Sequence, residues 1–502
     1  MRLPLLAGSY TARSPIAQCM RCVNYYPERN PEGSLVPFTH YQRPGLVPVA
    51  QGPVAPVRAL YQQSDEVGGF TVIGQSVYYI DPNFALTLLG QLSVAGNGPC
   101  SFTDNGTSIV LVDGSSIGYF VDVATHTFGT ITDGTHTFTG ANMVDVIDGY
   151  VLWNIPQTPS FGSTLENTIT FDGLFQGSKN GYPDLLRAIK CWKQQIFLGG
   201  GLKSEIWVDA GNPLFPFARL PGASIEHGVA APFSVSVHDI SVFWLAKNLQ
   251  GGYIVLSQKG YETRRISNHA VELAIRKMAK TGTVADAIGY CYQQDGHAFY
   301  VLQFPTGNQT WVFDEAMGDP MMAWHQRAWA NPTDGSLDRD RSNCHAFING
   351  RNVVGDWQNG ALYALDLDTY TDTVGGNVGA IQYIKTFPHV GIGRSGDGRA
   401  RQLDGKRGQI WEFKADIECG NGPLDVNGNP AMISLRYSQD RGKTFNQAPL
   451  QSSGKPGEWL TQPKWPGLGI GRDNILELAH NIAGPAALNG GWVDLEVLED
   501  VP

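Results

Sequence analysis

The chain has 502 residues, of which 42% are hydrophobic, so it can bury a sizeable core in several domains or in one large repeat body. Only 16% of the residues are charged, whereas Gly (60) and Pro (30) are abundant, which favours an all-β protein rich in tight turns. The net charge of −10 excludes a protein that binds DNA through massed Lys and Arg side chains.

The amino-terminal region is aromatic and proline-rich, and we expect residues 1–52 to form an extended segment. Its apolar stretch Leu3–Ala7 is too short for a signal peptide, and no run of eighteen apolar residues follows anywhere, so we expect synthesis in a reducing cytoplasm. Cys19 and Cys22 form a C-x-x-C pair with no second ligand pair nearby. The seven scattered cysteines therefore predict reduced, partly buried thiols, with a metal site as the alternative.

The next part of the chain repeats one pattern, a short apolar run that closes on aspartate, as in "SVYYID" (76–81). A related run, "GGYIVLS" (251–257), ends on Ser instead, and with it the units recur about every forty to fifty residues, a period typical of propellers. Single small sheets bury both faces only by packing side by side around an axis. The sequence thus predicts an all-β fold, a β-propeller of six or seven blades. The closing residues are Asp81, Asp122, Asp172, Asp209, Asp314 and Asp366.

These repeated aspartates have a structural explanation, because Asp ends strands and accepts backbone N–H bonds in turns. A catalytic carboxylate would need to occur only once or as one pair. One helix interrupts the repeat near 268–282, with Asn268 as its expected N-cap and Gly282 as its stop. We assign residues 53–374 to the propeller body.

After residue 374 the pattern changes to alternating strands spaced by Gly, Asn and Pro, which predicts an antiparallel β-sandwich over 375–502. The sequence does not decide whether the amino-terminal segment packs with this sandwich or with the first propeller unit. A basic loop lies at the start of the sandwich, either as a solvated loop or as a contact surface for a partner. Its basic residues are Arg394, Arg399, Arg401, Lys406 and Arg407.

The sequence has no P-loop and no H-E-x-x-H. The segment "SQDRGKTF" (438–445) resembles the Asp-box, a hairpin turn of sialidases and other propeller glycosidases that lies away from their catalytic centre. Its matching positions are Ser438, Asp440, Gly442 and Thr444, with Phe445 where the box has Trp. We therefore expect a hairpin here, no catalytic residue, no cofactor and no metal.

The order of these features resembles a known family, the tail hub or "packaged DNA stabilisation" proteins of short-tailed bacteriophages. The resemblance rests on "CVNYYPE" (22–28), on the long β-repeat body, and on "LRYSQDRGKTF" (435–445) followed by "WPGLGIGRDNILEL" (465–478). It extends along nearly the full length of the chain.

The resemblance implies a structural protein of the virion tail, made in the cytoplasm of a host bacterium. Six copies would form a ring below the portal and its adaptor, close the DNA channel with a plug or needle, and carry tail fibres or tailspikes. DNA would pass through this nozzle at ejection. Two alternatives are a propeller glycosidase and a carbohydrate-binding propeller, both acting on host polysaccharide.

Overall fold

The computed structural model describes residues 2–498 except 4, 6–7, 132–137, 213–214, 261, 391, 395–399 and 403–406, and almost all of its regular structure is β-strand. Seven antiparallel sheets follow one another along the chain. The innermost strand of each sheet contacts that of the next, and the seventh contacts the first. The predicted β-propeller is therefore confirmed, with seven blades in a closed ring.

Blades 1 to 4 are four-stranded meanders. Their strands are Val57–Gln62, Gly69–Ile73, Ser76–Ile80 and Leu86–Gln91; Ser101–Asp104, Ser108–Val112, Gly118–Asp122 and Phe128–Thr130; Val144–Ile147, Tyr150–Asn154, Ser160–Thr164 and Phe171–Ser178; Leu186–Trp192, Gln195–Gly200, Ser204–Asp209 and Phe217–Ile225. The strands of blade 5 are Gly228–Val229, Ser236–His238, Ser241–Lys247, Tyr253–Lys259 and Glu262–Arg265. Those of blade 6 are Ile288–Gln294, His297–Phe304, Gln309–Asp314, Trp324–Ala330 and Leu337–Arg339.

Blade 7 closes the ring with a strand from the other end of the chain. Its own strands are Ser342–Ile348, Arg351–Asp356 and Ala361–Asp366, and the amino-terminal strand Gly45–Gln51 pairs antiparallel with the last of them, with Leu46 opposite Leu365. A hairpin, Thr371–Val374 with Asn377–Ala380, extends the same sheet further outward. The start and the end of the propeller are thus held together by backbone hydrogen bonds.

Two sheets pack face to face to form the predicted β-sandwich, and both ends of the chain supply their strands. The first sheet contains Arg2–Leu3, Tyr25–Arg29, Phe38–Gln42, Arg407–Ile417, Lys464–Gly471 and Leu488–Leu498. The second contains Cys22–Val23, Tyr383–Thr386, Met432–Ser438, Asn446–Gln447, Gln451–Ser452 and Ile475–His480, and it continues the sheet of blade 6. Two short hairpins, Tyr10–Thr11 with Cys19–Met20 and Ile392–Arg394 with Ala400–Gln402, complete the strands.

The sandwich core is filled by large apolar side chains from both sheets, including the fully buried Phe413, Trp465 and Leu435. Each strand alternates inward and outward residues, so one face of each sheet supplies this core. Burying a side chain of this size contributes about 2–3 kcal/mol. The amino-terminal Leu3 and Tyr25 belong to the same core, so the first strands of the chain are held here.

The predicted helix inserts between blades 5 and 6 and runs His269–Thr281. The Asn268 side chain accepts hydrogen bonds from the backbone N–H groups of Ala270 and Val271, which makes it the N-cap. One short α-helix, Pro320–Ala323, and two 3-10 turns, Pro232–Ser234 and Glu315–Met317, complete the helical structure of the described residues. Within those residues, no helix combines the length and apolar character that a membrane crossing requires.

Asp172 does not end a strand, contrary to the sequence prediction. The run 168–172 was expected to be a strand, but a turn occupies its beginning: the backbone N–H of Thr168 donates to the carbonyl of Leu165, and Asn167 is left-handed at φ 55°. The strand starts only at Phe171 and continues to Ser178. Asn tolerates the left-handed turn conformation, and this local turn overrides the apolar pattern that follows it.

Candidate functional site

The other closing aspartates lie at the ends of their strands, in five different blades. Asp81 accepts the backbone N–H groups of Asn83 and Ala85, both at 2.8 Å, and Asp122 accepts that of Thr125 at 2.8 Å. The same arrangement recurs at Asp209, Asp314 and Asp366. Because each carboxylate is used by its own turn, the structure does not bring these residues together into one site.

Asp314 differs from the others because it is fully buried and paired. Its Oδ2 lies 2.7 Å from Nδ1 of His297, while its Oδ1 accepts the backbone N–H of Ala316. Burial opposes a charge on His297, but the hydrogen bond and charge of Asp314 outweigh it and raise the pKa of this imidazole. The ring of Tyr26, from the "CVNYYPE" segment, makes a T-shaped contact with the ring of His297, with 5.1 Å between the ring centroids. The pair therefore joins blade 6 to the amino-terminal strands. No pattern in the local sequence predicted this contact.

The Asp-box-like segment forms a hydrogen-bonded turn in the sandwich. Asp440 Oδ1 accepts the Ser438 hydroxyl at 2.8 Å and the backbone N–H of Thr444 at 2.8 Å, and its Oδ2 accepts the Thr444 hydroxyl at 2.6 Å. These hydrogen bonds lower the pKa of Asp440. At Gly442, φ is +82° and the Cys19 sulfur lies close by, so a side chain there would be strained and crowded. The turn thus packs against the amino-terminal hairpin, far along the chain from the propeller repeats.

The predicted basic loop is only partly described. Arg394 and Arg401 belong to the strands of the small hairpin before the sandwich, and Arg407 is exposed at the start of Arg407–Ile417. Arg399 and Lys406 lie outside the described residues. Its role as a contact surface stays a prediction.

An axial cavity of about 400 Å³ is lined by residues of the innermost strand of each of the seven blades. Its polar groups include Lys190 and Asp145, whose Nζ and Oδ2 lie 3.4 Å apart, and Asp145 also accepts the backbone N–H of Cys191. Burial lowers the pKa of His345 to about 4 and raises that of Cys100 to about 12. Among the residues that line the cavity, no thiol or hydroxyl is hydrogen-bonded to a histidine or carboxylate, the arrangement that activates a nucleophile.

The thiols match the sequence prediction. All seven cysteines are free, and each is buried or half-buried. Cys22 is fully buried in the sandwich core, and Cys19 is half-buried with its pKa raised to about 11, chiefly by burial. In the described part of the chain, no three His, Cys, Asp or Glu side chains are grouped so that they could hold a metal ion.

Asn24 and Arg43 form the junction between propeller and sandwich. Asn24 is fully buried and left-handed at φ 60°, a conformation that Asn tolerates. Its side-chain N–H groups donate to the carbonyls of Ala328 in blade 6 and Gln382 before the sandwich, and its Oδ1 accepts Nε of Arg43 at 3.1 Å. Arg43 donates to Asp372 in the blade 7 hairpin through both terminal guanidinium nitrogens, Nη2 at 2.5 Å and Nη1 at 3.1 Å. One residue of "CVNYYPE" therefore links blade 6, blade 7 and the sandwich.

Comparison with known proteins identifies the family. The family model described as "Bacteriophage P22 Gp10, beta-propeller" matches residues 1–370. The chain belongs to this family. The match includes the amino-terminal segment and all but the outer hairpin of the propeller, whereas most of the sandwich lies beyond it. The P22 Gp10 family places the chain among the structural proteins of phage virions.

Other comparisons add little to the P22 Gp10 assignment. No curated protein matches the chain. Among solved structures, the crystal structure of the computationally designed Ika8 protein aligns with 12% identity and a TM-score of 0.37, over 64% of this chain and 99% of that one. A likeness at this level carries no argument about function.

Proposed function

We propose that this chain is the tail hub, or nozzle, subunit of a short-tailed phage. In this proposal six copies form a ring below the portal and its adaptor, close the DNA channel after packaging together with a plug or needle, anchor tail fibres or tailspikes, and conduct DNA at ejection. The observation that carries it is the match of residues 1–370 to the P22 Gp10 propeller family. The protein would be made in the host cytoplasm and function in the virion tail.

The size of the axial cavity supports a ring of copies rather than a single conducting propeller. A volume of about 400 Å³ is in the range of small-molecule pockets and is too small for a DNA duplex. The blades also pack around the axis with buried apolar side chains such as Ala59, Val144 and Ile189, so the bore does not widen without unfolding the inner strands. DNA would therefore run between copies of the chain.

The charge of the chain supports passage of DNA without adhesion. Each copy carries a formal net charge of −10, so six copies carry −60. A channel wall of that sign between the copies repels phosphates and raises the free energy of DNA contact with the wall. A conduit that must release its cargo benefits from this repulsion.

The glycosidase and carbohydrate-binding alternatives have less support. Glycosidases need two carboxyl groups about 5–9.5 Å apart across the scissile bond, but the strand-ending aspartates are used singly by turns in separate blades. The Asp-box-like turn occurs in the sandwich rather than in the repeats, and in propeller glycosidases such turns lie away from the chemistry. No described feature favours a sugar ligand over a protein partner.

Native mass spectrometry of the purified chain mixed with the purified adaptor ring tests the proposal. We expect six copies to join one adaptor ring, and we expect particles that lack this chain to lose their DNA to added nuclease. A chain that stays monomeric and does not bind the adaptor would contradict the proposal, as would hydrolysis of a host glycan by the monomer. Serum albumin, an acidic protein of similar size, is the control for non-specific binding.

A further inference from the structure

The outer hairpin of blade 7 extends that sheet beyond the four-strand plan of blades 1 to 4. Its strands Thr371–Val374 and Asn377–Ala380 are joined by Gly375 and Gly376, with φ of +59° and +80°. Two left-handed residues in a two-residue loop are typical of the tight turn that matches the twist of a hairpin. The strand Asn377–Ala380 is the last of its sheet among the described residues.

This last strand is exposed on both faces and carries no protection against pairing. All four of its residues are exposed, with Val378 at 70%, and none is charged or proline. Proteins usually blunt edge strands with charges or proline. The outer strands Leu86–Gln91 and Phe128–Thr130 of blades 1 and 2 also lack both, but others follow the rule. Phe217–Ile225 contains Arg219 and Pro221, and Lys464–Gly471 contains Lys464 and Pro466.

The register of the hairpin shows which backbone groups are free. A two-residue loop makes the flanking residues, Val374 and Asn377, a hydrogen-bonded pair, and pairing then alternates along the strands. Val378, opposite Thr373, is therefore in a non-hydrogen-bonded pair. Its N–H and C=O point away from the hairpin, toward the open edge. The edge offers another strand at least one donor and one acceptor at this position.

We propose that this edge, Asn377–Ala380, pairs with an extended segment of a second copy of the chain, so that blade 7 continues into its neighbour. The inference rests on the ring of copies in the proposed function. Every copy is acidic, with a net charge of −10, so identical copies approach best through a charge-free segment. The hairpin provides one, because its single charged residue, Asp372, is buried against Arg43. A basic partner would instead be recognised by exposed carboxylates, which this edge lacks.

The variant Val378→Pro tests the edge with little disturbance of the hairpin. Proline removes the outward N–H, while the inward pairs of Asn377 and Gly379 remain. Val378→Thr is the matched control, because it keeps the N–H and a β-branched side chain of similar size. We expect wild type and V378T to form equal rings by native mass spectrometry, and V378P to need at least tenfold more protein for the same ring fraction, with its melting temperature unchanged. V378P rings that form as readily as wild type would overturn the inference and leave the proposed function intact.

Hydrogen exchange measured on the wild-type chain is a second test, and it does not require a variant to fold. We expect the Val378 amide to exchange quickly in the monomer and to be protected in the ring. An amide that exchanges equally fast in both states overturns the inference, and so does protection in a complex of the adaptor with a single copy of the chain, since the pairing strand would then belong to the adaptor. A wild-type chain that forms no ring at all overturns the proposed function itself.

Discussion

The buried ion pair between Arg43 and Asp372 provides a quantitative test of how the ring of seven blades is closed. The two side chains are only 2% and 5% exposed, and Arg43 also donates to Asn24 and to the carbonyl of Pro44. Arg43→Ala would leave the Asp372 carboxylate buried without its cation. Removing one partner of such a pair costs about 3–5 kcal/mol, which is a large part of the 5–15 kcal/mol that stabilises a typical domain.

Urea unfolding followed by tryptophan fluorescence measures this loss, and a second variant separates the ion pair from simple loss of volume. Arg43→Met combined with Asp372→Leu replaces both charges with apolar groups, so we expect it to be less destabilising than Arg43→Ala alone. Limited proteolysis should cut Arg43→Ala first near residues 43–52, where the closing strand detaches. A loss below about 1 kcal/mol, as for a surface ion pair, would refute the argument.

Three further outcomes follow from the described contacts. Asp314→Asn should lower the pKa of His297, because burial is then opposed only by the charges of Glu28 and Asp295; imidazole NMR titration checks this, and an unchanged pKa would contradict it. Burial lowers the pKa of His480 to about 3, so only the unfolded chain takes up this proton between pH 6.5 and 5, and this residue alone should lower stability by about 2 kcal/mol. The other buried histidines, such as His345, add to the loss; His480→Gln should remove only its own share in urea titrations at both pH values. Asp440→Ala should lower the melting temperature while Lys443→Ala does not, and equal melting would refute the role of the turn.

The repeat in the sequence was enough to predict the propeller, because each blade is built from neighbouring strands. Apolar runs such as Gly118–Asp122 alternate in burial and end on a residue that caps its own turn, and such local signals are readable without a structure. The prediction was wrong at Asp172, because a turn occupies the start of the apolar run 168–172 and the strand begins only at Phe171. The limits 1–52, 53–374 and 375–502 stay predictions.

The closure of the propeller, blade 7 to the amino-terminal strand, could not be predicted, because it depends on pairing between residues distant in the sequence. Gly45–Gln51 contains Pro48 and shows no clear alternation, yet it pairs with Ala361–Asp366 more than 300 residues later. The junction at Asn24 is equally non-local, since its hydrogen bonds reach blade 6 and the start of the sandwich. Sequence patterns report local conformation, whereas these contacts depend on the assembled fold.

Electron microscopy of the assembled virion tail tests the central claim most directly. We predict six seven-bladed propellers arranged around the tail axis, each closed by its own amino-terminal strand, with density for DNA between the copies and none along a propeller axis. A tail without these propellers, or one with DNA threaded through the bore of a single propeller, would contradict the account.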